Sequence, residues 1–278
     1  MSDRQELLDR EKRQSPLSDR EMEEADQRSS TTAKVVHEAI RLEGTEELDR
    51  RSSSVAWSGL AAGLTMGCSM VGQGLLHAML PDAPWRELVA SFGYCLGFLF
   101  VTMARQQLFT ETTLTVMLPL LHRTHGISDV VRYWAIVFAT NIVATLLFAA
   151  AASIPGVFSP EATHAFAELG SKAVEPGFAM VLLKGVFAGW LIALMVWLMP
   201  AAAASRFFVI VAVTWLIGVA HFSHVIAGAA ECAFAAMRGV IGWDQYALGF
   251  VLPALIGNSI GGIVFVALLN HAQVKAEV

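Results

Sequence analysis

From about Ser54 to Leu269 the chain is almost unbroken hydrocarbon, and the few polar residues that interrupt it do so inside apolar runs. They gather in two clusters, Arg105-Gln106-Gln107-Leu108-Phe109-Thr110-Glu111 and His221-Phe222-Ser223-His224. A polar group at bilayer depth costs several kcal/mol unless something satisfies it, so clusters of this kind read as a pathway. The pattern predicts a membrane channel or carrier. Charge is distributed accordingly: of 19 Lys plus Arg and 24 Asp plus Glu, ten and fourteen lie in residues 1–51. A soluble core of this size would carry charge on every outward helix face, whereas a span needs about 20 apolar residues to cross roughly 30 Å. The net charge of −5 comes mostly from the N-terminal segment, and no basic stripe points to nucleic acid. That segment opens with charge and lacks an apolar stretch, so no cleavable signal peptide is expected. Cys68, Cys95 and Cys232 sit within apolar runs and read as small buried hydrophobes, not as a disulfide framework.

Residues 1–32 are polar and Ser-rich, too poor in apolar residues to close a core, and read as a solvated tail. Between Thr32 and Leu48, the residues Val35, Val36, Ala39, Ile40 and Leu42 predict a short amphipathic helix, near 33–48, at the membrane surface or against the bundle. Six segments of membrane length follow, at about 54–80, 87–121, 130–154, 177–199, 206–237 and 246–270. The second and fifth are too long for one straight crossing and have polar centres, as a helix interrupted inside the membrane does. This divides the chain into a cytoplasmic N-terminal region (1–52), a transmembrane domain (53–271) and a short cytoplasmic C-terminus (272–278). With both termini inside, Arg50, Arg51, Arg123, Arg132, Arg206 and Lys275 flank the cytoplasmic ends, against Arg86, Lys172 and Arg238 outside. An internal echo accompanies the pattern: Asn141 and Asn258 each precede a Phe by seven residues, at Phe148 and Phe265, and Thr110 and His224 are similarly offset. Two three-helix halves related in this way form an inverted repeat, because three crossings return the second copy from the opposite side.

At these residues the sequence resembles the formate/nitrite transporter family. Leu108-Phe109-Thr110 followed by Thr112 resembles the family's Leu-Phe-Thr-Ser-Thr loop in the second helix, and Phe222-Ser223-His224-Val225-Ile226-Ala227 its fifth-helix signature around a central histidine. Leu252-Pro253 through Gly257-Asn258 to Gly261-Gly262 resembles the sixth-helix pattern, and Gly185 to Gly189-Trp190-Leu191 the fourth-helix one. The likeness covers about 33–270. It implies an all-α membrane protein: a six-transmembrane-helix, aquaporin-like bundle with an inverted repeat and two broken helices, the second and fifth, assembled as a homopentamer in a bacterial inner membrane. Each protomer would pass small monovalent anions such as formate or nitrite, or their conjugate acids, so that its partners are these anions and protons. By the same likeness Tyr94 and Phe98 match constriction positions on one side of a central chamber, Leu108 and Phe109 those near the loop, and Ile217 replaces an expected Phe. Lys172 approximates a Lys at the outer mouth. Gln107, Glu111, Ser223 and Gly189 depart from the family's Asp, Ser, Glu and Asn, which points to a divergent, YfdC-like branch.

An anion in a water-poor passage needs fixed donors or neutralisation in place of its hydration. Thr110 can donate a hydroxyl, His224 a hydrogen bond or a proton, and helix N-termini at the breaks can aim amide dipoles at the chamber. Asn141 and Asn258, in the third and sixth segments, complete the expected pathway set. Glu111 and Lys184 form a candidate charge pair, since an ionised Glu111 beside Thr110 opposes an anion unless a cation answers it. Arg105 and Glu231 read equally as interface residues whose charged ends snorkel to water. His221-x-x-His224 and His122-x-x-His125 each offer half a metal site without a third carboxylate or thiol ligand in sequence, so neither metal nor cofactor is expected. No nucleophile and base constellation is legible, which argues against an enzyme. A water or neutral-solute channel of the same architecture, and a scaffold that no longer transports, remain the other readings; the former lacks its paired Asn-Pro-Ala boxes here.

Overall fold

Every regular element in the computed structural model, which describes residues 31–276, is helical. The tail reading for residues 1–30 and the last two residues of the C-terminal reading lie outside the described residues. Helix α1 (Ala33–Asp49) buries Val36, Ile40, Gly44 and Leu48, a four-residue repeat that makes one stripe down the helix. The exposed Val35 and Leu42 show that this stripe is narrower than the one read from sequence. Then come α2 (Ser52–Met79), α3 (Arg86–Met103), the short α4 (Phe109–Thr115) and α5 (Met117–Leu121), and α6 (Ile127–Ala152). The chain continues through α7 (Pro160–Val174), α8 (Phe178–Leu198), α9 (Arg206–Val219), α10 (Val225–Met237) and α11 (Gln245–Ala276).

Five of these, α2, α3, α6, α8 and α11, are long and apolar enough to cross a membrane. The fifth segment read from sequence, 206–237, is two helices, α9 and α10, each too short to cross alone. The second segment divides likewise into α3 and the α4–α5 pair. Helix α7 was not among the segments read from sequence. At 15 residues it is below membrane length, and its ends carry soluble-type signals: the Ser159 hydroxyl accepts from the Ala162 amide at 3.2 Å, Pro160 opens the first turn, and Lys172 lies in the last. Its small face packs on α10.

From Ala33 onward the chain packs as one unit, with α2 against α3 and α6, α8 against α11, and α10 central, touching α6, α7 and α2. Helix α10 is buried over nearly its whole length, from Val225 to Ala236. A helix apolar all round belongs at the centre of a bundle. Helix α11 accommodates Pro253 through a π-helical turn at Gln245–Val251 and has a second at Ile263–Leu268. A wider turn relieves the clash a proline ring makes with the preceding carbonyl. The outer surface exposes large apolar side chains, among them Trp57, Phe100, Leu147, Trp190 and Leu248. In water this would be an aggregation liability; against lipid it is an ordinary face.

Candidate pore site

The two interruptions, between α3 and α4 and between α9 and α10, are built alike. In each, the helix closes and then turns through a left-handed residue, Arg105 at φ 54° and His221 at φ 50°. The next amide reaches back five residues, Gln106 to the Val101 carbonyl and Phe222 to that of Ile217, both at 3.0 Å. The preceding one reaches back three, Arg105 to Thr102 at 3.2 Å and His221 to Gly218 at 3.0 Å. This is the Schellman pattern, and it satisfies carbonyls that a broken helix would otherwise leave bare. Left-handed backbone costs a non-glycine residue about 1–2 kcal/mol, so both residues are held there by their surroundings.

An asparagine closes each interruption. Asn141 on α6 accepts from the Phe109 amide at 3.0 Å and donates to the carbonyls of Gly59, at 2.8 Å, and Gln107, at 3.0 Å. Asn258 on α11 accepts from the Val225 amide and donates to the carbonyls of Gly185 and Ser223, all at 2.8 Å. Each asparagine is reached because a glycine lets two helices touch. A Cβ at Gly63 would lie 2.4 Å from the Asn141 carbonyl oxygen, and one at Gly189 would lie 2.2 Å from that of Asn258. Gly189, noted as a departure in sequence, is therefore the residue that this close approach requires.

Where the second halves begin, Thr110 and His224 meet. Thr110 Oγ1 lies 2.6 Å from His224 Nε2, and both are buried. His224 also caps α10, its Nδ1 accepting from the Ala227 amide at 3.2 Å. A ring nitrogen that accepts carries no proton, so the neutral imidazole holds its proton on Nε2 and donates it to Thr110. The hydroxyl hydrogen of Thr110 is then left to donate elsewhere. Phe98 meets the histidine ring edge-on, centroids 4.7 Å apart, and Tyr94 stands 5.2 Å beyond Phe98.

A cavity of about 380 Å³ opens above His224. Its lining includes Tyr94, Ile217, Glu231 and, toward the rim, Lys172 and Lys184. Leu108 and Phe109 are buried outside this lining, Leu108 preceding α4 and Phe109 packed on Phe138 with centroids 5.2 Å apart. Lys172 is answered by Glu168 at 2.7 Å.

Glu111 and Lys184 are not brought together. Glu111 accepts from the Thr102 hydroxyl at 2.7 Å, and its charged neighbours are Glu47 and Glu43. Lys184 lines the cavity at the opposite end, facing His221. The pairing read from sequence is not formed in this structure, since Glu111 is held by Thr102 while Lys184 lines the cavity near His221. The His-x-x-His pairs also separate: His221 is exposed in its turn while His224 is buried, and His125 turns to Asp49 at 3.2 Å. Glu231 does not snorkel; it is 8% exposed and faces the cavity. Arg105 is exposed, with Glu43 at 3.9 Å.

Sequence reasoning missed a polar network beneath α1. Glu47 accepts from Thr115 Oγ1 at 2.6 Å. In the amide orientation that satisfies both ends, Gln107 donates to Glu47 Oε1 at 3.3 Å and to the Tyr133 hydroxyl at 2.5 Å, and accepts from Arg50 at 3.0 Å. Burial pushes the Glu47 carboxyl up to about 7, against the opposing hydrogen bond from Thr115.

Comparison with known proteins places this geometry. The family model described as Formate/nitrite transporter matches residues 34–272. The chain is 36% identical over 252 residues to the inner membrane protein YfdC of Escherichia coli, covering 90% of this chain and 81% of that protein. It is 24% identical to a probable formate transporter of Methanothermobacter thermautotrophicus, covering 77% and 82% of the two chains. Among solved structures it is similar to an FNT family ion channel (TM-score 0.76, 17% identity, 86% of this chain and 98% of that one). It is also similar to a pentameric formate channel with formate bound (TM-score 0.69, 19% identity, 81% and 98%).

Proposed function

Because the chain belongs to the formate/nitrite transporter family, a family of multi-pass membrane transporters, we propose that it passes small monovalent anions such as formate or nitrite, or their conjugate acids, through a pore in each protomer. The observation that carries this reading is the Thr110–His224 pair, whose histidine lines a cavity together with Lys172 and Lys184. Lys172, paired with Glu168, and Lys184 share the cavity lining with Glu87, Glu175 and Glu231, so the cavity presents both signs of charge to an entering ion. Tyr94, Phe98 and Ile217 narrow the passage with apolar surface, and Leu108 and Phe109 continue it beyond. At the pair, an anion stripped of water meets the hydroxyl hydrogen that Thr110 has free while His224 supports its oxygen. Outright proton donation requires a doubly protonated imidazole, which must first release the Ala227 amide. Anion passage thus needs no rearrangement at His224, and a proton-coupled cycle does.

The proposed architecture has six crossings, the second made of α3 with α4–α5 and the fifth of α9 with α10. The matched capping of the two interruptions by Asn141 and Asn258 supports an inverted repeat. The domain scheme follows: residues 1–52 cytoplasmic, 53–271 in the membrane, 272–278 cytoplasmic. In this reading the protein is a homopentamer of a bacterial inner membrane with both termini inside. The resemblance to a pentameric channel supports the assembly, and the relative YfdC the location. Flux of formate, nitrite, hydrosulfide and water into proteoliposomes separates an anion pore from a neutral-solute channel or a scaffold.

A further inference from the structure

Three histidines far apart in sequence meet at the end of the bundle where α1 lies. His37 on α1, His122 just after α5 and His271 near the end of α11 form a triangle, with ring centroids 5.3 Å (His37–His122), 5.3 Å (His37–His271) and 5.1 Å (His122–His271) apart. His37 Nε2 and His271 Nδ1 are 3.1 Å apart, and one nitrogen from each of the three rings lies within 4.8 Å of the others. His37 is buried, His271 half-buried and His122 exposed, so the group has a closed side and an open one. Trp197 closes the inner side, its ring 6.3 Å from that of His37.

Three imidazoles so close do not form an economical hydrogen-bonding set. A neutral imidazole has one donor and one acceptor, while protonating any member sets a charge beside the other two. A cation answers all three at once. We propose that His37, His122 and His271 bind a divalent transition-metal ion, zinc or a close analogue such as cobalt, with three nitrogen ligands and one position open to water on the His122 side. The donor set selects the metal class: nitrogen ligands suit zinc, copper, nickel and cobalt, whereas magnesium and calcium require oxygen. Nitrogen–metal distances of about 2.0–2.1 Å need ligand atoms roughly 3.3 Å apart, within reach of ring rotation from the present spacing. Charged side chains around the site include Glu38 and Arg41, which pair with each other at 2.6 Å, and Lys275. None of these is a ligand in this geometry.

The ligands come from three elements, so the ion would staple α1 to the α5–α6 turn and to the end of α11. Without it, α1 keeps the His37–His271 contact, its apolar stripe and the network around Glu47. The site is separate from the Thr110–His224 level and does not depend on what the pore carries.

The test uses full-length, tag-free protein in mild detergent, stripped with chelator and titrated with zinc and with cobalt. The expected result is one ion per protomer. Zinc-edge X-ray absorption should give three imidazole nitrogens and no sulfur, and backbone hydrogen exchange in α1 should slow when zinc is added. His37→Ala, His122→Ala and His271→Ala should each weaken binding by at least about tenfold, whereas His125→Ala should not. Absence of stoichiometric binding, or a sulfur ligand from one of the cysteines, overturns the proposal. If a variant fails to assemble, the stoichiometry and absorption spectrum of the unmodified protein decide alone.

Discussion

Asn141 and Asn258 make the same three hydrogen bonds, each accepting from the first amide of a resumed helix and donating to the carbonyl two residues before it and to a glycine carbonyl on a neighbouring helix. The partners correspond across the chain: Phe109 with Val225, Gln107 with Ser223, Gly59 with Gly185. Each side chain thereby serves three backbone groups, two of which, the amide and the carbonyl of the interruption, a helical ladder cannot satisfy.

Replacing either asparagine by aspartate keeps the acceptor and removes both donors. The Gln107 or Ser223 carbonyl is then left unpaired beside a new acceptor, at roughly 1–3 kcal/mol, while the Gly59 or Gly185 carbonyl keeps the bond of its own helix. We expect Asn141→Asp and Asn258→Asp each to lower the thermal midpoint of the detergent-solubilised protein, by similar amounts. Retained stability in one but not the other would break the equivalence of the two interruptions.

The equivalence was partly legible in the sequence. The matched Asn-to-Phe spacing marked Asn141 and Asn258, and the two polar clusters fall where the helices end. Their hydrogen-bonding role was not legible, since the partners are backbone groups on other helices. The left-handed turns at Arg105 and His221 were hidden for a similar reason: neither is the glycine that usually advertises such a turn. Helix α7 escaped because a hydropathy reading looks for membrane length. The network around Glu47 and the histidine triangle escaped because their members are dozens to hundreds of residues apart and converge only when α1 docks.

Glu47 makes that docking pH-dependent. Its carboxyl is held at about 7 in the folded state against an ordinary 4.5. A group raised on folding stabilises the docked helix fully below the ordinary value and loses that contribution as pH rises through about 7. Glu43, Arg50 and Glu111 are the other charges near it. Hydrogen exchange in the backbone of α1 should therefore speed up between pH 5.5 and about 8 beyond the intrinsic increase, and Glu47→Gln should remove that excess. An unchanged slope in Glu47→Gln would assign the effect elsewhere.

Separation of Glu111 from Lys184 predicts independence. In a double-mutant cycle, Lys184→Met and Glu111→Gln should combine additively, within about 0.5 kcal/mol of transport free energy. Lys184→Met alone should reduce anion flux, more so at low salt, where screening is weak. Partial recovery in the double variant would mean that the two charges meet during transport.

Assembly is tested by native mass spectrometry in mild detergent, where the family resemblance predicts five copies. Deleting residues 1–30 should leave that number unchanged, because the described elements pack as one unit from Ala33 onward. A stable monomer would count against the pentamer.

The account rests on Thr110 and His224 acting on an anion, and formate flux into proteoliposomes tests this most directly. The intact protein should carry formate well above protein-free liposomes. Thr110→Val, which removes the free hydroxyl while keeping shape, should reduce flux by about tenfold or more, as expected for one hydrogen bond to a charged group. His224→Asn, which removes the ring nitrogen that supports the Thr110 hydroxyl, should also reduce flux while leaving the oligomer intact. Undiminished flux in both variants, or none in the intact protein for formate, nitrite and hydrosulfide alike, would contradict it.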